Sequence, residues 1–238
     1  MGCASEVSGE NRSCSIWTCI NVSIESEYFM KFSTFKLALA TPVIAVALSA
    51  CGSSSISGFE DLGNKADAVT KRVDEIGGYD PESGIYTNKT EAQEMPTEGT
   101  ASYAGFAGFW LNDDQQQVRA DMAENDTPVL AAELNLVADF ATSKISGSMT
   151  NFQISEEGNS VNGTIDVSDG SISGGNLLAD LSGNLNGNVD GQEEEHTFTG
   201  TMDGTFLGDG AEAVVGGIEG SLSDGTFVAG EWEAVVQD

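Results

Sequence analysis

The chain has 238 residues and carries 38 acidic against 9 basic side chains, a net charge of −29 with histidine neutral. This excess of acid argues against a nucleic-acid-binding protein, because such proteins neutralise phosphates with Lys and Arg. Anionic lipid headgroups would also repel the chain, so charge cannot hold it at a membrane. The acidic residues are spread along the sequence, which fits either steering of a basic partner or a role in solubility.

A secretory signal begins at Met30. Lys31 and Lys36 give it a basic start, and an apolar run over residues 37–48 follows. A basic start, a short apolar core and small residues before a cut are the parts of a signal peptide. The alternative is a transmembrane helix, but the run contains Pro42 and is shorter than the roughly 20 residues that span a bilayer.

The signal ends in Leu48-Ser49-Ala50-Cys51. This ending resembles the lipobox of bacterial lipoproteins. The resemblance implies cleavage between Ala50 and Cys51 and attachment of fatty acyl chains, palmitate among them, to Cys51. The expected partner of the N-terminus is therefore a membrane, held through lipid, and the expected location is the outer membrane, at the cell surface or on its periplasmic face.

The signal divides the chain into four expected segments. Residues 1–29 are interpreted as an upstream extension from an over-called start, with Met30 as initiator. Residues 30–50 are the lipoprotein signal peptide, residues 51–98 a lipidated tether, helix and linker, and residues 99–238 a β-barrel domain. Cys51 is the only cysteine beyond residue 50, so the mature chain has no disulfide and no thiolate metal site.

A single amphipathic helix is predicted after a flexible tether at residues 52–58. Six apolar residues recur at spacings of three and four, which places them on one helix face: Phe59, Leu62, Ala66, Val69, Val73 and Ile76. Gly77-Gly78 provides the stop. The helix is expected to lie against the main domain, with a partner-binding coiled coil as the alternative. Residues 79–98 have the composition of a linker.

From Gly99 onward, apolar and polar residues alternate. In the longest example, Phe198, Gly200, Met202, Gly204 and Phe206 share one face. Side chains alternate across a strand, so each run has an apolar face that also carries glycine and a polar face. About eight such strands are expected by Val236, with turns at residues 157–159, Asp169-Gly170 and Asp224-Gly225.

This pattern predicts an all-β fold, an antiparallel eight-stranded soluble β-barrel. Glycine on the apolar face favours a barrel over a sandwich, because tight strand bends need it. A membrane-spanning barrel is the other alternative, since it too alternates apolar and polar residues. Glycines would leave gaps in its lipid-facing surface, and the aromatic residues form no pair of girdles.

The C-terminal half resembles a known domain. Residues 200–217 carry G-x-F-x-G, then A-E, then G-G, and residues 225–230 read G-T-F-V-A-G. These motifs, with residues 96–108 as a first strand and 137–149 as a second hairpin, resemble the barrel domain of transferrin-binding protein B. The resemblance implies a surface lipoprotein with an eight-stranded barrel, whose relatives capture host proteins such as transferrin or complement factor H. Phe206 is expected inside the barrel, with Gly204 and Gly208 leaving room for its ring.

No catalytic residue, metal ligand or cofactor is predicted. His196 follows three glutamates and could be imagined as a base or a haem ligand, but no nucleophile motif accompanies it. Residues 186–191 imitate the start of a calcium loop, yet Thr197 stands where a bidentate Glu is required. A hydrolase using acidic pairs is the least favoured function, since no pair can be singled out.

The longest polar connection in the barrel region runs from Asn112 to Thr127. Asp113, Asp114, Gln116 and Arg119 are its candidate binding residues, because recognition is often carried by long loops on a rigid scaffold. A solvated loop or a short helix without a partner is the alternative. The sequence thus predicts an outer-membrane lipoprotein that binds a protein or nutrient ligand through loops and is not an enzyme. The alternative is an envelope structural or assembly protein with no soluble ligand.

Overall fold

The predicted alternation produces eight long strands in the computed structural model, which describes residues 56–125, 127–156, 159–189 and 192–237. In chain order the elements are α1 (Ile56–Gly77), β1 (Tyr79–Asp80), β2 (Ile85–Tyr86), β3 (Thr100–Asn112), α2 (Gln115–Glu124), β4 (Leu130–Asp139), β5 (Lys144–Ile154), β6 (Ser160–Ser173), β7 (Asn176–Val189), β8 (Gln192–Leu207), β9 (Ala213–Leu222) and β10 (Phe227–Val236). The signal peptide and Cys51 lie outside the described residues.

Strands β3 to β10 form a closed antiparallel barrel. Each strand pairs with the next along the chain, and β10 pairs with β3 to close the sheet. At this closure Trp232 lies opposite Ala107 and Val228 opposite Leu111. The predicted fold class is confirmed: every long strand has two partners, so no long strand is left as an edge.

Apolar side chains fill the inside of the barrel. Trp232, Tyr103, Phe109, Phe198 and Phe206 are among the largest fully buried side chains. The alternating outward positions are mostly Ser, Thr, Asn, Asp and Glu, and only three large hydrophobic side chains of the described residues are exposed. This is the reverse of a membrane-spanning barrel, which turns its apolar side to lipid.

Gly204 of β8 makes room for Trp232. A Cβ added at Gly204 would lie 2.6 Å from Cζ2 of Trp232 and 2.9 Å from the carbonyl oxygen of Val215. The indole Nε1 donates to the carbonyl oxygens of Asp203, at 3.1 Å, and Gly217, at 3.2 Å. Phe206 is buried as expected, but the ring that requires Gly204 is that of Trp232, on a different strand.

Helix α1 lies against the outer wall of the barrel, as the sequence predicts. Val73 is fully buried among Leu207, Val215 and Val235 of three strands. The helix ends at Gly77, and Gly78 has a φ of +62°, a left-handed conformation that favours glycine. Neither helix in the described part of the chain combines the length and apolar character needed to cross a bilayer.

Residues 79–98 are packed against the barrel, although their composition suggests a linker. β1 and β2 form a two-stranded sheet, and Lys89 forms an isolated bridge with Leu207 of β8. Thr90 is buried, and its hydroxyl donates to the carbonyl oxygen of Gly208 at 2.7 Å. The Thr90 N–H donates to the carbonyl oxygen of Phe206 at 2.9 Å, so backbone groups of this segment are paired with the barrel.

One predicted turn is wrong and another is confirmed. Asp169-Gly170 lies inside β6, where the pairing with β7 shifts register between Ser168 and Ser171. Asp169 has a φ of +51° there, so the dipeptide forms a β-bulge. Asp224-Gly225 does connect β9 to β10, with a φ of +99° at Gly225.

Candidate functional site

The β3–β4 connection contains all four candidate binding residues, and most of it is helical. Asp114 is the N-cap of α2, and its side chain accepts hydrogen bonds from the backbone N–H groups of Gln116, at 2.8 Å, and Gln117, at 3.0 Å. These bonds satisfy two of the donors that a helix start leaves free. Asp113, Asp114 and Gln116 are therefore brought together at one exposed end of α2.

The inner face of α2 is fixed to the barrel wall. Val118 is 2% exposed and packs with Trp110 of β3 and Ala229 of β10. The side chain of Asn112 donates to Asp121 at 2.9 Å and ties the end of β3 to the helix. The outward residues are thus presented on a helix with a defined position.

Arg119 points to a different neighbour from the other three candidates. Its guanidinium donates to Oε1 of Glu219 on β9 at 2.7 Å, and both side chains are substantially exposed. An exposed pair of this kind stabilises by at most about 1 kcal/mol. The arrangement orients α2 across the strands and leaves part of the guanidinium accessible.

His196 bridges two carboxylates instead of facing a nucleophile. Its Nε2 lies 3.3 Å from Glu194, and its Nδ1 lies 3.3 Å from Asp224 in the β9–β10 turn. The residue links the start of β8 to the β9–β10 turn at one end of the barrel. Asn186 and Asn188 lie in β7, and residues 190–191 are outside the described range.

Sequence reasoning missed a group of carboxylic acids beneath α1. Glu231 and Glu233 point outward from β10 and are covered by the helix, whose Thr70 hydroxyl donates to Oε1 of Glu233. Asp74 of α1 accepts from the Tyr86 hydroxyl at 3.0 Å. The sequence Glu231-Trp232-Glu233 does show two acids flanking an apolar residue in a strand. Alternation alone, however, assigns such acids to a solvent-exposed face.

Burial raises the pKa of these acids. The pKa of Glu231 is raised to about 7 by desolvation. Desolvation raises that of Glu233 to about 8; the Thr70 hydroxyl opposes this rise, and Asp74, Glu231 and Asp67 add to it. The pKa of Asp74 is also raised, by desolvation, against the effect of its hydrogen bond from Tyr86. In the described chain no cluster of three or more potential ligands is arranged to hold a metal ion.

The barrel matches a known family. A family model described as the C-lobe and N-lobe β-barrels of transferrin-binding protein B matches residues 95–234. The chain belongs to this family. Its barrel is therefore of the transferrin-binding protein B type, as residues 200–217 and 225–230 suggest. No curated protein sequence matches the chain.

Several solved structures resemble this transferrin-binding-protein-B-like chain. Transferrin-binding protein B of Haemophilus parasuis Hp5 is 16% identical to this chain. The match covers 63% of this chain and 28% of that protein, with a TM-score of 0.40. The isotype 1 transferrin-binding protein B of serogroup B Neisseria meningitidis is 17% identical. The match covers 63% of this chain and 27% of that protein, with a TM-score of 0.39. A structure described as a surface lipoprotein is 16% identical, with 62% and 65% covered and a TM-score of 0.36. The chain spans less than a third of the two transferrin-binding proteins.

Proposed function

We propose that the protein is a lipid-anchored outer-membrane lipoprotein that binds an extracellular protein non-covalently through its β3–β4 connection. Membership of the transferrin-binding protein B barrel family supports this class of function. The matched solved proteins are described as transferrin-binding proteins or as a surface lipoprotein. Binding, and not catalysis, is the proposed activity.

The proposal rests on one observation: helix α2 is packed on the outside of a barrel whose interior is filled with side chains. The interior is occupied by Trp232, Tyr103, Phe206 and their neighbours, so a ligand must be recognised on the outer surface. The longest connection between barrel strands is held by Val118 and by the Asp114 cap. A surface that is already ordered loses little conformational entropy when a partner binds.

The proposed anchor is the acylated Cys51. One acyl chain gives only marginal membrane binding, and each buried methylene adds about 0.8 kcal/mol, so a stable anchor needs more than one chain. Residues 52–55, which precede α1, would serve as the tether between the lipid and the folded chain. Because acidic residues outnumber basic ones so strongly, the barrel itself would be repelled by anionic headgroups and held away from the membrane surface.

Capture from host fluid tests the proposal. The full lipoprotein in detergent is used as bait, and the double variant Asp113→Ala/Gln116→Ala is compared with Asn162→Ala/Thr164→Ala on the exposed face of β6. We expect the parent and the Asn162→Ala/Thr164→Ala variant to retain one extracellular protein. Binding of that protein by the Asp113→Ala/Gln116→Ala variant should fall about tenfold or more, as for loss of a binding hot spot.

Two results would contradict this function. Retention of envelope proteins alone would favour a structural or assembly role. Equal binding by the two double variants would remove the β3–β4 connection from the recognition surface. The Asp113→Ala and Gln116→Ala substitutions leave Asp114 and Val118 unchanged, and alanine keeps the backbone N–H of residue 116 that donates to Asp114. A folding defect is therefore not expected to affect the comparison.

A further inference from the structure

A cavity lies between α1 and the outer wall of the barrel and is separate from the β3–β4 connection's exposed face. Its volume is about 60 Å³, which is room for roughly four water molecules. Aromatic residues from four elements contribute to its lining: Phe59, Tyr79, Tyr86, Phe106 and Trp110. The lining is predominantly apolar.

Three carboxylic acids share this apolar cavity. Glu231 and Glu233 enter it from β10, and Asp74 enters it from α1. On the two strands that flank β10, the residues opposite the glutamates are Gly108 and Phe106 of β3 and Gly217 and Val215 of β9. None of these neighbours carries a charge that could compensate for the carboxylates.

No basic side chain in the described chain forms an ion pair with these acids. Lys65 pairs with Glu133, and Arg119 pairs with Glu219. Lys71 and Arg72 of α1 are exposed, and the sequence has no Lys or Arg after Lys144. All three acids are half-buried, and their ionised forms are costly there without a cation, so the ionised cavity favours a positively charged occupant.

Trp110 provides a second, independent observation. It is 5% exposed and contributes both to the wall of this cavity and to a second pocket beside α2, and its indole Nε1 has no hydrogen-bond partner among the described residues. A buried donor without an acceptor is destabilising. An occupant with an acceptor such as a hydroxyl oxygen would satisfy it.

We propose that this cavity binds a small organic ammonium ion with an apolar surface, of the amino-alcohol or methylated ammonium type. The cation is held by Glu231, Glu233 and Asp74, and its alkyl groups lie against the aromatic rings. An ammonium over an aromatic face is attracted by the ring quadrupole, and more strongly where water is excluded. A hydroxyl group on the ligand can accept from Trp110.

Protons compete with such a cation for the same carboxylates. Burial raises the pKa of Glu231 to about 7 and that of Glu233 to about 8. Thr70 and Asp74 on α1 and Tyr79 and Tyr86 beside it line the same space, and the charge of Asp67 also acts on Glu233. The cation therefore displaces bound protons, and its affinity rises with pH across this range.

Choline and its neutral isostere 3,3-dimethylbutan-1-ol test the proposal. The full lipoprotein in detergent is titrated with each compound while the Trp110 indole N–H resonance and the heat of binding are followed. We expect saturable binding of choline in the millimolar range, and binding weaker by about tenfold, or 1.4 kcal/mol, for the isostere that lacks the charge. Equal affinity for the two compounds, or no saturable shift with choline, would overturn the proposal.

Variants and pH separate a specific site from general attraction to an acidic protein. Glu233→Gln and Glu231→Gln should each weaken choline binding several-fold, whereas Glu195→Gln on the exposed part of β8 should leave it unchanged. Parent affinity should rise between about pH 6 and about pH 9. An equal loss of choline affinity in all three variants would contradict the site. So would a parent affinity that does not change with pH, and this second measurement does not depend on whether the glutamate variants fold.

Discussion

Gly204 illustrates how single residues set the shape of this barrel. It lies opposite Gly216 of β9 and directly beneath the indole of Trp232, whose Nε1 is bonded to two backbone carbonyls. The indole cannot turn away without leaving a buried donor unpaired, so the space must come from missing side chains. The glycine-rich motif of residues 200–217 is therefore explained by packing, and it reports the fold, not the ligand.

Gly204→Ala is expected to destabilise the barrel. Its Cβ would meet the Trp232 ring at 2.6 Å, and overpacking of this kind costs about 1–3 kcal/mol. The matched control is Gly63→Ala in α1, where nothing lies within 4 Å of the added Cβ; it should stabilise by about 0.5–1 kcal/mol because alanine favours helix. Urea unfolding measures both, and a neutral Gly204→Ala would refute the packing argument.

Helix α1 is the element whose attachment should depend on pH. Its inner face covers Glu233, whose pKa is raised to about 8, and Glu231, whose pKa is raised to about 7. For carboxyls with a raised folded-state pKa, the stabilisation is complete below the unfolded pKa of about 4.3 and is lost as pH rises through the folded value. Alkaline pH therefore weakens the contact between α1 and the barrel.

Amide hydrogen exchange of α1 tests this dependence. After correction for intrinsic exchange, protection over residues 59–77 should fall about tenfold or more between about pH 6 and about pH 9, which corresponds to at least 1.4 kcal/mol. Glu233→Gln should remove most of this change, because an amide stays neutral and still accepts from Thr70. Protection that is independent of pH in the parent would contradict the burial of these acids.

Helix α2 depends on a buried valine more than on its ion pair. Val118→Ala removes two methyl groups from a site that is 2% exposed and should cost about 1–2 kcal/mol. Arg119→Ala breaks only the exposed pair with Glu219 and should cost at most about 1 kcal/mol. Thermal unfolding of the two variants checks the order. A larger loss for Arg119→Ala would mean that the ion pair, not packing, holds α2.

The elements that sequence reasoning located are those with strong periodicity. Phe198, Met202 and Phe206 alternate along β8 and are all buried, and the stripe on α1 faces the wall as its spacing requires. The short α2 has few apolar residues, so its pattern could not distinguish a helix from a loop. Asp169-Gly170 carries turn chemistry that a bulge uses equally well, and local composition cannot separate the two.

At the scale of the molecule, the eight-stranded closure follows from strand number and alternation, whereas the contacts on the outer wall do not. Glu231 and Glu233 occupy outward-facing positions of β10, where residues are usually exposed to solvent. They are covered because α1 lies over them. Thr90 is likewise buried through a partner 118 residues away. Such contacts depend on how distant segments meet, which periodicity does not encode. For the same reason, the cavity beneath α1 was not predicted.

The proposed lipid anchor also belongs to the whole molecule, since it decides where the barrel can bind. The decisive measurement is the mass of the N-terminal peptide of the protein extracted from membranes. We expect a chain that starts at Cys51 and carries the added mass of several fatty acyl chains, with residues 1–50 absent. A free thiol at Cys51, or a chain that retains residues 30–50, would contradict the account of a surface-anchored binding barrel.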